Sequence, residues 1–243
     1  MTTLVKFAIA FALALFFSSC AFDINLADFG SGEKGNGNIV EEKRTVTEAF
    51  TEVHASEGIK VFITQNDNVS ITVQADDNVI GLIATDIENG RLKVHAKQNI
   101  GRATKEVHVS LPNISELIAS SGAQLRTEDQ IEVNHLLLDG SSGALIAVEV
   151  RADEMEIEAS SGANLSVAGN VGVLSAQGSS GANIRARDLL AKDCRAAASS
   201  GANVQVNASK SLRADASSGG NVSYSGTAEV TKNKSVSGNI NQF

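Results

Sequence analysis

The chain has 243 residues, 42% apolar, 20% charged and 4% aromatic, with 21 Gly, one Pro and no Trp. That apolar fraction excludes a disordered chain, no collagen-like glycine period is present, and one long domain or two short ones can bury a real core. A net charge of −8 disfavours nucleic acid and anionic membrane surfaces as partners.

Residues 1–19 read as an export signal. Lys6 precedes an unbroken run of 11 apolar residues, Phe7 to Phe17, too short to span a bilayer but suited to a signal-peptide core. The ending Phe17-Ser18-Ser19-Cys20 resembles the lipobox of bacterial lipoproteins, with Phe17 where leucine is commonest. The resemblance implies lipid attachment at Cys20 and a membrane as partner through that anchor. Acyl chains contribute about 0.8 kcal/mol per buried CH₂, so two or more hold firmly. An ordinary secretory signal is the alternative, and both export the chain. Residues 20–44, with Gly30, Gly32, Gly35 and Gly37, are expected to form a flexible tether. About 20 such residues reach roughly 25 Å. With Cys20 lipidated, Cys194 stands alone and no disulfide framework exists.

The rest, residues 45–243, reads as one β-solenoid. Over 45–113 the pairs and triplets Ile59/Val61/Ile63, Val69/Ile71/Val73, Leu92/Val94 and Val107/Val109/Leu111 alternate with polar residues. Asn66-Asp67-Asn68, Asp76-Asp77-Asn78 and Asn89-Gly90 supply turns between them. These segments are expected to be coils with longer excursions.

Over 114–230 the text repeats. ASSGAQL, GSSGALI, ASSGANL, GSSGANI, ASSGANV and ASSGGNV place Gly122, Gly143, Gly162, Gly181, Gly201 and Gly219 at spacings of 21, 19, 19, 20 and 18, and Ser237-Gly238 follows 19 later. A fixed period of this kind is the mark of a repeat architecture. Before each turn the inward columns read Leu117, Leu138, Ile157, Ala176, Ala196, Ala214 and Ser115, Leu136, Met155, Leu174, Cys194, Leu212. After it they read Leu125, Ile146, Leu165, Ile184, Val204, Val222 and Thr127, Val148, Val167, Ala186, Val206, Tyr224, with Arg126, Ser166, Arg185, Gln205 and Ser223 pointing out. Period two on both sides of a tight turn means short strands with one inward face. A second turn near Gly169, Asp188 or Gly226 leads to apolar pairs such as Val171/Val173. Leucine-rich repeats would show a helical segment, and a propeller would need about twice the period. The expectation is an all-β, parallel β-helix or solenoid of about 19–20 residues per coil, right-handed by the general crossover preference, with less regular N-terminal coils.

Stacked turns put glycine where φ is positive, and they align Asn164, Asn183, Asn203 and Asn221 so that the amides bond from coil to coil. Residues 231–243 turn polar at the expected inward positions Thr231, Asn233 and Ser235, as a cap that blunts an edge.

The segment Phe50 to Gln65, of the form F-x-x-V-x-A-S-x-G-I-x-V-x-I-x-Q, the stretch Glu88 to Leu92 and the serial SSGAN turns together resemble the "putative auto-transporter adhesin, head GIN domain" family over about residues 45–240. The resemblance implies a parallel β-helix, a cell-envelope location and an adhesive or binding role; the expected location is the outer membrane, on its surface or periplasmic face, and the expected partner an unknown protein or glycan. It implies no catalytic residue and no cofactor.

The chemistry-bearing residues are read as structure. Cys194 shares an inward column with leucines and behaves as a small hydrophobe. His54, His95, His108 and His135 fall on the solvent side with no zinc spacing, so no metal site is expected. Asp76-Asp77-Asn78 and Asn66-Asp67-Asn68 are turn sequences without the pattern of a calcium loop. Serines such as Ser160-Ser161 and Ser199-Ser200 have no histidine after His135 to activate them, and Asp153-Glu154-Glu156-Glu158 reads as a solvated face. The expected function is a non-catalytic envelope lipoprotein presenting a rigid surface for adhesion or binding. The alternatives are a polysaccharide lyase or glycosidase on a β-helix, which would need two carboxylates about 5–10 Å apart in a cleft, and a periplasmic-facing structural or sensing component.

Overall fold

The computed structural model describes residues 32–243. The signal segment 1–19, Cys20 and the first part of the tether lie outside the described residues. Seventeen strands follow in the described chain: β1 (Ile39–Arg44), β2 (Glu52–Ala55), β3 (Lys60–Gln65), β4 (Ser70–Asp76), β5 (Ile83–Glu88), β6 (Arg91–Ala96), β7 (Lys105–Leu111), β8 (Glu116–Ala119), β9 (Gln124–Thr127), β10 (Ile131–Gly140), β11 (Leu145–Ala159), β12 (Asn164–Gly178), β13 (Asn183–Ala198), β14 (Asn203–Ala216), β15 (Asn221–Ser225), β16 (Glu229–Lys234) and β17 (Asn239–Gln242). One short 3₁₀ turn, Ile80–Leu82, is the sole helical element among the described residues, and no helix there is long and apolar enough to cross a membrane.

From β8 onward each coil pairs in parallel with the next, Ile146 over Leu165, Leu165 over Ile184, Ile184 over Val204 and Val204 over Val222. This is a β-solenoid. The inward columns are buried as the alternation requires, down to the alanines Ala176, Ala196 and Ala214, while Ser115 and Thr127 at the first coil stay half-buried. Two strands converge at each tight turn, so only Ala or Gly fits beside it. A Cβ on Gly178 would sit 3.2 Å from that of Ala202. The second corner differs from the expected apolar pair. Val171 is buried but Val173 is 49% exposed and Leu174 points in again, because the strand bends there and its alternation shifts phase.

Each tight turn holds both central residues at positive φ, 49° at Ser161 and 74° at Gly162, with Ala163 N donating to Ser160 O at 3.0 Å. These are the requirements of a type I′ turn. The serine, as well as the glycine, is in the left-handed region. Stacking holds it there: Gly162 N donates to Ser180 O at 3.1 Å, and the same bond recurs from Gly122, Gly143, Gly181, Gly201 and Gly219 to the following coil. The ladder also has a rung the repeat text does not show. Glu57 (φ 59°) and Gly58 (φ 68°) form the same turn, and Gly58 N donates to Ser121 O at 3.1 Å. At that end Glu57 O has no preceding rung, and Lys105 Nζ, its pKa lowered by burial, donates to it at 3.3 Å.

The N-terminal part is not the simple series of coils expected. β2 and β3 pair with β8 and β9 on one side and with β6 and β7 on the other, so the later strands β6 and β7 stack beneath the earlier ones. Antiparallel strands then close the end: β5 on β6, β4 on β7 and β1 on β4. The expected tether over 20–44 also ends earlier. β1 belongs to the sheet, and Gly32–Asn38 is tied down. Glu33 N donates to Asn99 O, Gly37 N donates to Asp76 Oδ1 at 2.5 Å, and Thr104 N donates to Asp76 Oδ2 at 2.7 Å. Asp76 is 3% exposed, so its carboxyl is placed to satisfy amides that water cannot reach.

The C-terminal end corrects a register. Asn239 pairs with Asn221 and Lys232 with Ala214, an offset of 18 residues, whereas Gly219 and Gly238 are 19 apart. A one-residue slip moves every side chain to the other face. Thr231 and Asn233 therefore point outward, and the inward column ends in Lys232 and Lys234, with Lys232 Nζ 4.9 Å from the Tyr224 ring centroid. Lysines at an open end oppose edge-to-edge pairing. Ser237-Gly238 is consequently not another rung of the Ser-Gly ladder.

Candidate binding faces

Two outward faces meet at the ladder of tight turns. The asparagine column lies beside it on the face carried by the strand segments that follow each turn. Asn183 Nδ2 donates to Asn164 Oδ1 at 3.2 Å and Asn203 Nδ2 to Asn183 Oδ1 at 3.1 Å. Asn221 departs from the expected ladder: its Nδ2 faces Ser223 Oγ at 3.5 Å, and its Oδ1 is buried without a partner. Gly220 stands where the preceding rungs carry Ala123, Ala144, Ala163, Ala182 and Ala202. It lets the backbone close in, for a Cβ there would lie 2.2 Å from Ala198 O.

The next column on this face runs His108, Phe62, Arg126, Ala147, Ser166, Arg185, Gln205, Ser223. His108 stacks on Phe62 with centroids 4.7 Å apart, and the Arg126 guanidinium lies 4.5 Å from the Phe62 centroid. Ala147 and Ser166 are too small to continue this row, so a trough of about 640 Å³ opens between Phe62 and Arg185, floored by Leu145, Ala147 and Ser166. Sequence reading placed Arg126 and Arg185 outward but could not connect them to Phe62, because β3 and β9 meet only through the scrambled stacking of the N-terminal coils.

The opposite face holds the titratable groups that could suggest catalysis. His54 Nε2 lies 3.5 Å from Ser120 Oγ, and burial, helped by Arg91, pushes the imidazole pKa down. Asp139 has its carboxyl pKa pushed up by burial, against the opposing pull of His54. Among the described residues no carboxylate hydrogen-bonds His54, so the arrangement lacks the orienting group of a triad. Asp139 and Glu158 are register neighbours beside the first serines Ser141, Ser160, Ser179, Ser199 and Ser217, in an open depression of about 710 Å³. Their side chains rise side by side from adjacent rungs, whereas glycoside cleavage places one carboxyl on each side of the scissile bond. Ser160 and Ser199, read from the sequence as turn serines rather than nucleophiles, lie in this depression with no histidine lining it.

The remaining candidates are occupied by structure. Asp77 accepts from Asn36 Nδ2 and Asn38 Nδ2, bonds that hold its carboxyl below its ordinary pKa. Cys194 is buried and its thiol is pushed up to about 12 by burial. His95 pairs with Asp86 at 2.8 Å. Among the described residues no group of three or more His, Cys, Asp or Glu side chains converges as metal ligands would.

The family model for "putative auto-transporter adhesin, head GIN domain" proteins matches residues 49–228. Among solved structures, a putative adhesin of Bacteroides fragilis is 14% identical with a TM-score of 0.79, the alignment covering 87% of this chain and all of the other. A putative adhesin of Parabacteroides merdae is 21% identical over 88% of this chain and all of its own, TM-score 0.67. A putative lipid binding protein of Parabacteroides distasonis is 19% identical over 86% of this chain and 98% of its own, TM-score 0.68. Identities this low speak for a shared fold alone. No curated protein matches the chain.

Proposed function

The chain belongs to the head GIN domain family of putative auto-transporter adhesins, and from that premise we propose that it is a non-catalytic lipoprotein of the cell envelope, outer membrane above all, that binds a protein or glycan through the outward faces of its solenoid. One observation carries the reading: an unbroken ladder of turn bonds donated from Gly58 through Gly219 fixes both faces rung by rung. Side chains on such a scaffold meet a ligand already ordered, which spares the entropy of arranging them on binding. The lipobox-like ending at Cys20 supports the anchored location, and the lysines at the C-terminal end favour binding by a face rather than by strand addition.

The test joins location to adhesion. Protease treatment of intact cells should remove the protein, and a strain lacking it should adhere less to mucin- or matrix-coated surfaces. Survival of the protein together with unchanged adherence would overturn the reading. A Cys20→Ala variant should leave the membrane fraction for the soluble one, and continued retention would refute the lipid anchor.

A further inference from the structure

Resting on that binding role, we propose that the trough between Phe62 and Arg185 is the ligand site, and that its ligand is an acidic glycan lying along the solenoid axis.

The charge pattern comes first. In a chain of net charge −8, Arg126 and Arg185 are exposed and form no ion pair among the described residues, whereas Arg44, Arg91, Arg151 and Arg213 each have a carboxylate partner. Both guanidiniums border the same depression, while Arg187, also without an ion pair, lies over the Phe243 ring at 4.6 Å. Lys60, also on its lining, is held by Glu106 at 3.1 Å. That leaves Glu106 as the one acid on the trough's lining, already paired, while Glu128, Asp129, Glu149 and Asp188 line an adjoining hollow that shares Ala147, Ser166 and Arg185 with the trough. Two of these four are already engaged: Glu128 accepts from Thr64 Oγ1 and Glu149 from Gln130 Nε2. An anion is thus drawn along the line from Arg126 to Arg185 and away from the four acids on the side beyond it. Planar guanidinium forks suit carboxylate and sulfate groups.

Shape selects a glycan over an acidic protein. From Phe62 to Arg185 the column climbs four rungs, roughly 19 Å at the strand spacing. The floor is flat and shallow, with Leu145, 44% exposed, as its one exposed large apolar side chain, for Phe62 at its end is half-buried between His108 and Arg126. Protein partners draw most of their affinity from aromatic or aliphatic anchors in well-packed pockets, and this shallow trough has no deep apolar pocket to receive one. It offers amides instead. Gln124 and Asn164 line it on the turn side, and Asn164 is held in place by its bonds to Gly162 O and Asn183. A row of fixed donors and acceptors suits a hydroxyl-rich polymer whose rings lie over Leu145 and Ala147 and whose acidic groups reach Arg126 and Arg185.

The test uses the full-length chain in mild detergent with three polymers: polygalacturonate, neutral dextran and poly-L-glutamate. Affinity electrophoresis should show retention by polygalacturonate, weaker at 500 mM than at 50 mM salt, none by dextran, and at least tenfold weaker retention by poly-L-glutamate. The double variant Arg126→Gln/Arg185→Gln should bind polygalacturonate at least tenfold more weakly with an unchanged circular dichroism spectrum, while Arg195→Gln on the opposite face binds as the wild type does. Equal retention of the double variant, no retention of the wild type, or equal retention by poly-L-glutamate would each overturn the assignment. Cells carrying the double variant separate this failure from that of the adhesive role. If they adhere as wild-type cells do, the trough is not the site but adhesion stands. If wild-type cells adhere no better than cells lacking the protein, adhesion itself falls.

Discussion

Residues 114–230 and residues 32–111 bury similar apolar side chains by different means. In the first stretch every coil finds its partner one period along the chain, and the same turn, the same glycine bond and the same inward columns recur. In the second, spatial order departs from chain order, three antiparallel pairings close the end, and polar side chains rather than repeated turns hold the backbone. A repeat can extend itself but cannot end itself, because each rung leaves an open edge for the next. The irregular half is the cost of ending it, and it is also what brings Phe62 against Arg126 on the binding face.

The sharpest way to break this contrast is a pair of truncations. Leu165→Ala removes a fully buried side chain from the middle of the regular stack and should cost about 2–5 kcal/mol in denaturant unfolding. Asp76→Ala strands the amides of Gly37 and Thr104 and should cost about 1–3 kcal/mol, with hydrogen exchange accelerated at residues 33–38 while the turn glycines stay protected. If the Asp76 variant loosened the whole ladder, the two regions would be one cooperative unit. Next in size, Asn183→Ala breaks two amide bonds of the asparagine column and should cost roughly 1 kcal/mol. Asn221→Ala, outside that column's bonding, should cost less.

Cys194 reports on the regular stack in another way. With its thiol pushed up to about 12 by burial, it should resist iodoacetamide at pH 8 in the native protein and react at once in urea. Fast native labelling would mean that the stack opens. The smallest effect belongs to the junction of the two regions, where His54 on β2 faces Arg91, Lys93, Glu116 and Asp139. Its folded pKa lies below the unfolded value of about 6.5, so the unfolded chain binds the proton more readily. Stability should therefore fall as pH drops below about 6.5, and Tm measured at pH 7.5 and 5.5 should differ less in His54→Gln than in the wild type. Asp139, raised by burial, works in a lower window: relative to the unfolded chain it is less costly once protonated, and costs stability as pH rises from about 3.8.

The regular stack was legible in the residues because its information is local. A period, a turn and an alternation place Leu165 inside and Arg185 outside without any knowledge of what lies above. What was not legible depended on pairing between distant segments. Nothing near Glu57 and Gly58 says that their turn stacks under Ser121, although Ala55-Ser56-x-Gly58 echoes the repeat. Nor does the text of residues 66–111 reveal that β6 passes beneath β2. The slip at the C-terminal end has the opposite cause: Ser237-Gly238 mimics the repeat so well that local reading sets the register one residue wrong and hides Lys232 and Lys234. The trough shares this limit, since its two ends come from strands that are far apart in sequence.

The turn ladder is the claim on which both faces depend, and amide hydrogen exchange of its glycines, read residue by residue by NMR, tests it most directly. The turns lie on the surface, where a free N–H exchanges at the rate of an unstructured peptide. If each glycine donates to the next coil, the amides of Gly58, Gly122, Gly143, Gly162, Gly181, Gly201 and Gly219 should all exchange slowly, like those of the buried strands, and Gly58 should be as protected as the repeats that follow it. Exchange at unprotected rates along this series would contradict the ladder and the rigid faces built on it.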